Sequence, residues 1–221
     1  MRLPVWDAPL RLFHWMLALL VTFSFVTGKV GGDWMTWHMR SGYAILTLLL
    51  FRVGWGLFGS DTARFARFVR GPAAVSRYVR ELAARRYPAG IGHGALGGWA
   101  VVAMLAILLT QAISGLFVDD EISTQGPLAV KASGKVVTRM SAIHDANQWL
   151  VLAIVLLHVA AIAAYWKVWR RNLVGPMVTG AAEIPPGLAP PRMGSPLAAL
   201  AWLVACAAAV YLLVVVYPAA R

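Results

Sequence analysis

The sequence predicts an all-α integral membrane protein, a four-helix transmembrane bundle followed by a fifth, C-terminal transmembrane helix. Three observations carry that reading. Of the 221 residues 60% are hydrophobic and 13% are charged, and a soluble domain would carry about 25% charged residues. The mean hydropathy is +0.68. The apolar residues gather in runs long enough to span a bilayer, for which a helix needs about 20 residues.

The runs cover residues 9–28, 38–58, 95–118, 141–166 and 197–217. Arg2 precedes the first run and Arg11 enters it, the charge pattern with which a signal peptide begins. No Ala-x-Ala cleavage word follows it, and its length suits a retained span. Trp6, Trp34, Trp37, Trp55, Trp166 and Trp169 stand near the run ends, where an aromatic belt would put them. None of the spans needs β-structure. The stretch 173–196 is rich in Pro and Gly and reads as a linker. The expected organisation is a four-helix domain over 1–172, the linker over 173–196 and a last transmembrane helix within 197–221.

The net charge of +11 and the pI near 10.7 would raise nucleic-acid binding in a soluble protein. Here the basic residues cluster between apolar runs, and the positive-inside rule accounts for them. No nucleic acid is expected as a partner; the lipid bilayer is. Arg64, Arg67, Arg70, Arg77, Arg80, Arg85 and Arg86 lie between runs two and three, and Lys167, Arg170 and Arg171 follow run four. With alternating helices these segments share a face with Arg2 and Arg11. That face is expected to be the cytoplasmic side of a bacterial inner membrane, with the N-terminus inside and the C-terminus in the periplasm. Within the basic segment, Val75, Tyr78, Val79 and Leu82 fall on one helical face and Arg77, Arg80, Glu81 and Arg85 towards another. A short helix on the anionic inner leaflet fits this pattern, and so does a solvated basic loop. The outer loop, 119–140, carries Asp119, Asp120 and Glu121 against Lys131, Lys135 and Arg139. Such segregated charge suits the docking of a redox partner.

The histidines carry the chemistry. His144 and His158 are 14 residues apart on one run, which puts them on nearly the same side of a helix and about 21 Å apart along it. His14 lies in the first run, about 21 Å below its outer end near Gly28. His38 opens the second run at the outer face. The depths therefore match in pairs, His14 with His158 and His38 with His144. An intramembrane imidazole is costly and normally faces the bundle interior with a partner. Two imidazoles at one level, on facing helices, complete the axial positions of a haem. A structural zinc site wants four close ligands, which neither level offers. The lone Cys206 excludes covalent attachment through a Cys-x-x-Cys-His word and reads as a small apolar filler. The expectation is two non-covalent b haems, with His14, His38, His144 and His158 as iron ligands and no catalytic residue.

These residues sit in words that resemble the bacterial di-haem cytochromes b of the b561 type, the group that includes the cytochrome b subunit of nickel–iron hydrogenases. The words are RLFHW, WHMRSGY, FRVGWGLFGSDTARF, GHGALGGW, QAISGLF, IHDANQWLVLAIVLLHVAAI and NLVGPMVTG, in the expected order over roughly residues 5–180. The resemblance implies the same four axial ligands and no ligation by His93, which precedes run three. It also implies electron transfer, often with a c-type cytochrome, a dehydrogenase or a hydrogenase as partner.

Other polar residues keep two readings each. Arg52 either pairs with a propionate of the inner haem or snorkels to the interface. Arg40 would serve the outer propionates in the same way. Asp145 either orients His144 or takes a quinol proton, or it is an acid in the first turn of a helix. Ser24, Thr27, Thr47, Thr110, Gln111 and Ser114 read as helix–helix hydrogen-bonding groups. Gly42, Gly54 and Gly115 would admit either a macrocycle or a neighbouring helix. The leading functional expectation is a membrane di-haem cytochrome passing electrons between a quinone pool and an outer-face redox partner. The alternatives are a self-contained oxidoreductase for quinone or a small oxidant, and a haem-free transporter or anchor.

Overall fold

The structure, a computed structural model, describes residues 2–87, 90–120, 124–183 and 188–220. A short strand β1 (Arg2–Pro4) leads into α1 (Ala8–Val30), and a 3-10 turn at Gly32–Trp34 leads into α2 (Met35–Phe58). Two short helices follow, α3 (Phe65–Phe68) and α4 (Pro72–Ala83). Next come α5 (Ala95–Gly115), a 3-10 turn at Ala129–Lys131 and α6 (Gly134–Trp169). The chain closes with α7 (Val174–Thr179), β2 (Ala181–Glu183) and α8 (Pro196–Tyr211), which continues through a π turn at Leu212–Val216 to Ala219. Five of the helical stretches are long and apolar enough to cross a membrane. The protein is an all-α integral membrane protein.

The long helices start and stop where the side chains allow. Gly31 and Gly32 have φ of 70° and 55°, a region open to glycine at little cost, and they separate α1 from α2. The largest departure from expectation is α6. It begins at Gly134 rather than 141, and its 36 residues give a rod of about 54 Å, against a hydrocarbon core of about 30 Å. Its first two turns, GKVVTRM, are mostly exposed. The loop expected over 119–140 is accordingly shorter, ending where the Ser133 carbonyl accepts the Val136 and Val137 amides. Glu121, assigned to an acidic cluster there, lies outside the described residues.

The chain divides into two compact units, and each takes a stretch of all five long helices. The first comprises Met1–Leu12, Arg52–Met104 and Ile154–Ala199. Its centre is polar. Asp7, 6% exposed, caps α1 by accepting the Leu10 amide at 2.6 Å. Its other oxygen accepts Trp55 Nε1–H at 3.0 Å and the Ser60 hydroxyl. Ser60 Oγ in turn accepts the Gly194 amide at 2.7 Å. Within the stretch read as a linker, β2 pairs antiparallel with β1, Arg2 opposite Glu183. Gly180, with φ of 84°, turns the chain there, and its carbonyl accepts the Val5 and Trp6 amides.

The basic segment of this unit contains the expected short helix, α4. Tyr78 is buried and Val75 and Leu82 are half-buried, whereas Val79 is exposed. Tyr78 and Tyr165 share a hydrogen bond of 3.1 Å. Burial, then the neighbouring Tyr165 hydroxyl, raises the Tyr78 pKa, so the phenol keeps its proton and the bond throughout the physiological range. Trp169 Nε1–H reaches the Leu82 carbonyl at 3.3 Å.

The second unit comprises Phe13–Phe51, Leu105–Ala153 and Leu200–Arg221. Leu46, Leu116, Leu128 and Val210 form its apolar core, with Tyr43, Leu50, Leu109 and Leu213 packed against it. The connector after α5 folds back on that helix through Leu128 N–H to the Leu116 carbonyl at 2.8 Å. Trp202 Nε1–H donates to the Phe51 carbonyl at 3.2 Å, tying the fifth helix to α2. Cys206 is buried, as a small filler should be.

Candidate functional site

Within the second unit, α1, α2, α5 and α6 surround a cavity of about 440 Å³ lined by His38 and His144. Apolar groups such as Val21, Ile45, Leu108 and Val151 make up much of its wall. The two imidazole centroids are 6.1 Å apart and the ring planes cross at 85°. Sequence depth puts these two histidines at one level, and the structure brings their rings together with crossed planes in one cavity.

The hydrogen bonds fix which nitrogen of each ring carries the proton. His38 Nδ1 lies 2.8 Å from the Ser24 carbonyl oxygen. His144 Nδ1 lies 3.0 Å from the Gln111 carbonyl oxygen. A carbonyl oxygen only accepts, so each Nδ1 carries the proton and each Nε2 keeps its lone pair. That is the tautomer a metal ligand needs, with the second nitrogen oriented by a backbone carbonyl. The Ser24 and Ser114 hydroxyls stand 3.3 Å from the respective Nδ1 atoms. The Gln111 amide nitrogen is 3.3 Å from both nitrogens of His144 and donates to the His144 carbonyl at 3.1 Å. Asn147, 6% exposed, holds that amide by donating to Gln111 Oε1 at 2.8 Å. It also donates to the Ile107 carbonyl at 3.0 Å.

This donor set fits a haem. Two metal–imidazole bonds of about 2 Å, plus the distance from each nitrogen to its ring centre, add up to about 6 Å between centroids. The observed 6.1 Å matches that spacing. Among the described residues no three His, Cys, Asp or Glu side chains gather as a metal cage, so an ion bound here needs most of its ligands from elsewhere. A porphyrin supplies four.

The other histidines lie apart from this cavity. His14 sits on α1, half-buried and edge-on to Trp15 at 4.9 Å. His158 is half-buried on the part of α6 that belongs to the first unit. His93 lies between the Trp6 and Phe68 rings, at 4.7 and 4.6 Å, in the first unit. Arg40 is exposed, with its guanidinium 5.2 Å from the Trp37 ring centre. Asp145 lines the cavity mouth and accepts Gln148 Nε2–H at 2.7 Å. Arg52 is 2% exposed and faces the Phe65 ring at 4.9 Å. Its burial removes the snorkelling reading. Its terminal nitrogens make no hydrogen bond among the described residues.

Sequence reasoning passed over Asn147 and treated Ser24 and Gln111 as general helix–helix groups. The available signal was a buried amide pair on two helices that flank an intramembrane histidine.

Fold and site together define a multi-pass, all-α membrane protein with an imidazole-lined cavity. Residues 5–180 match the family described as prokaryotic cytochrome b561, and the chain belongs to that family. It is a membrane b-type cytochrome of electron transfer, so the haem-free transporter reading falls away. It is similar to a probable Ni/Fe-hydrogenase B-type cytochrome subunit of Azotobacter chroococcum mcd 1, 26% identical over 80% of this chain and 86% of the relative. A protein of the same description from Rhodobacter capsulatus is 22% identical over 80% of this chain and 79% of its own length. No solved structure matches the chain.

Proposed function

We propose that the chain binds two b haems non-covalently and conducts electrons between a quinone pool and a redox partner at the outer face. The observation that carries this is the His38–His144 pair, two imidazoles 6.1 Å apart in one cavity, each with Nδ1 on a backbone carbonyl. His38 and His144 hold the outer haem. His14 and His158, matched in depth along the sequence, hold the inner one. When bound, each haem supplies a reversible one-electron couple, and filled axial positions favour electron transfer over oxygen chemistry. The protein's part is to hold the four imidazoles, keep the cavity walls apolar and bury Arg52 where its fork suits a carboxylate of the inner haem. The names of the relatives support a hydrogenase as the outer partner. A c-type cytochrome or a dehydrogenase would meet the same outer face. Residues 1–172 form the haem-binding domain on this reading, with 173–196 joining it to the last helix, 197–221.

Anaerobic purified protein mixed with a short-chain quinol should show reduced b-haem absorbance within seconds. Haems that dithionite reduces and quinol does not, across the potentials of the common quinones, would remove the quinone arm.

The same reading places the N-terminus and the Arg64–Arg86 segment in the cytoplasm and the α5–α6 connector in the periplasm of an inner membrane, from the charge bias. Ser76 and Ser133 are both exposed. In intact cells a cysteine at 133 should react with an impermeant maleimide and one at 76 should not. The reverse pattern would invert the topology.

A further inference from the structure

The two outer imidazoles are held by the same local device. Residues 24–28 read SFVTG on α1, and residues 111–115 read QAISG on α5. In each, the carbonyl of the first residue accepts an imidazole Nδ1–H, from His38 at 2.8 Å and from His144 at 3.0 Å. In each, the hydroxyl at the fourth position donates chiefly to the carbonyl four residues back, Thr27 to Phe23 at 2.9 Å and Ser114 to Thr110 at 2.7 Å, and lies beside the imidazole-bearing carbonyl at 3.1 and 3.2 Å. In each, the fifth residue is a glycine against the imidazole. A Cβ on Gly28 would lie 2.8 Å from His38 Nδ1 and 2.9 Å from its Cε1. A Cβ on Gly115 would lie 2.8 Å from His144 Cε1 and 3.1 Å from its Nδ1.

The physical sense is direct. In an α-helix the carbonyl of residue i lies beneath the side chain of residue i+4. A side chain there covers the second lone pair of that carbonyl. Glycine uncovers it, so a ring from another helix can reach it in its plane. The Thr or Ser hydroxyl, bonded back to its own helix, packs beside that oxygen without occupying the ring's approach. At Gly115 the group that comes close is the imidazole of a neighbouring helix, His144.

We propose that residues 24–28 and 111–115 are matched imidazole clamps that hold His38 and His144 with their planes crossed, so that the protein sets the ligand-plane angle of the outer haem. The clamps rest on the reading that these two histidines ligate one haem. Their purpose is electronic as well as structural. Crossed imidazole planes leave the two iron π orbitals nearly equal in energy, and a low-spin ferric centre then has a strongly anisotropic g tensor. Parallel planes split those orbitals and give an ordinary rhombic spectrum.

The test is low-temperature electron paramagnetic resonance of the oxidised, haem-loaded protein, with a haem count on each sample. The parent should show a strongly anisotropic low-spin signal that His38→Leu removes, leaving one haem per chain. Gly28→Ala and Gly115→Ala should each move that signal towards rhombic, or abolish it with loss of the outer haem alone. Gly97→Ala, with open space around its Cα, should leave it unchanged. A rhombic signal for the haem lost in His38→Leu would overturn the clamps, even if neither alanine variant could be purified. So would alanine variants whose signals match the parent's. Retention of both haems in His38→Leu would instead overturn the ligand assignment, which separates the two failures.

Discussion

Replacing His38 by leucine, or His144 by leucine, is expected to halve the haem content, from two per chain to one. On the proposed ligation each ring would supply one axial bond, in a cavity whose described lining holds no third imidazole. Leucine fills the volume of the ring but leaves the iron five-coordinate, and it leaves the Ser24 or Gln111 carbonyl without its imidazole partner. Either single change should therefore empty the same site, and the double variant should lose no more haem than either alone. The haem that remains should be absent from His14→Leu and His158→Leu. Haemochrome counts on the four single variants check this. If His38→Leu and His144→Leu left haems with different potentials, the two residues would belong to different sites.

The largest effect expected on stability is at Asp7. Its carboxylate accepts three hydrogen bonds, from the Leu10 amide, Trp55 Nε1 and the Ser60 hydroxyl, in a site only 6% exposed. Trp55 itself is 1% exposed, so its N–H has no water to turn to. Asp7→Ala removes the acceptor and leaves these donors buried. An unsatisfied buried group costs about 1–3 kcal/mol, and for three donors that can partly relax together a loss on the order of 3 kcal/mol is expected. Asp7→Asn keeps one acceptor oxygen and should fall between the alanine variant and the parent. Thermal unfolding in detergent measures the order. An alanine variant that melts with the parent would mean that Trp55 and Ser60 find other acceptors.

Much of this architecture was legible in the residues. Apolar runs located all five spans, and the rise per residue along α1, α2 and α6 put His38 and His144 at one depth. What hydropathy could not see was helix that has no need of lipid. Residues 134–140 carry Lys135, Thr138 and Arg139, which end an apolar run but not a helix, since Lys and Arg are good helix formers. The β1–β2 pair escaped for another reason. Each strand is three residues long, the partners are far apart in the chain, and only Gly180 with its positive φ brings them together. At the site, the histidines announced themselves because ionisable groups in a span are rare. Their supports did not. Ser24 and Gln111 act through backbone carbonyls, which every residue has, and the signal lies in Gly28 and Gly115, where the side chain is missing. The likeness between SFVTG and QAISG becomes visible only once both are seen against an imidazole.

The central claim is that this cytochrome carries two b haems on four histidines. The most direct measurement is the pyridine haemochrome of purified, haem-saturated protein, set against protein concentration from amino-acid analysis. The account predicts a b-type spectrum, haem fully extractable by acid acetone, and a ratio of two per chain. A ratio of one, or haem that stays with the protein on extraction, would contradict it.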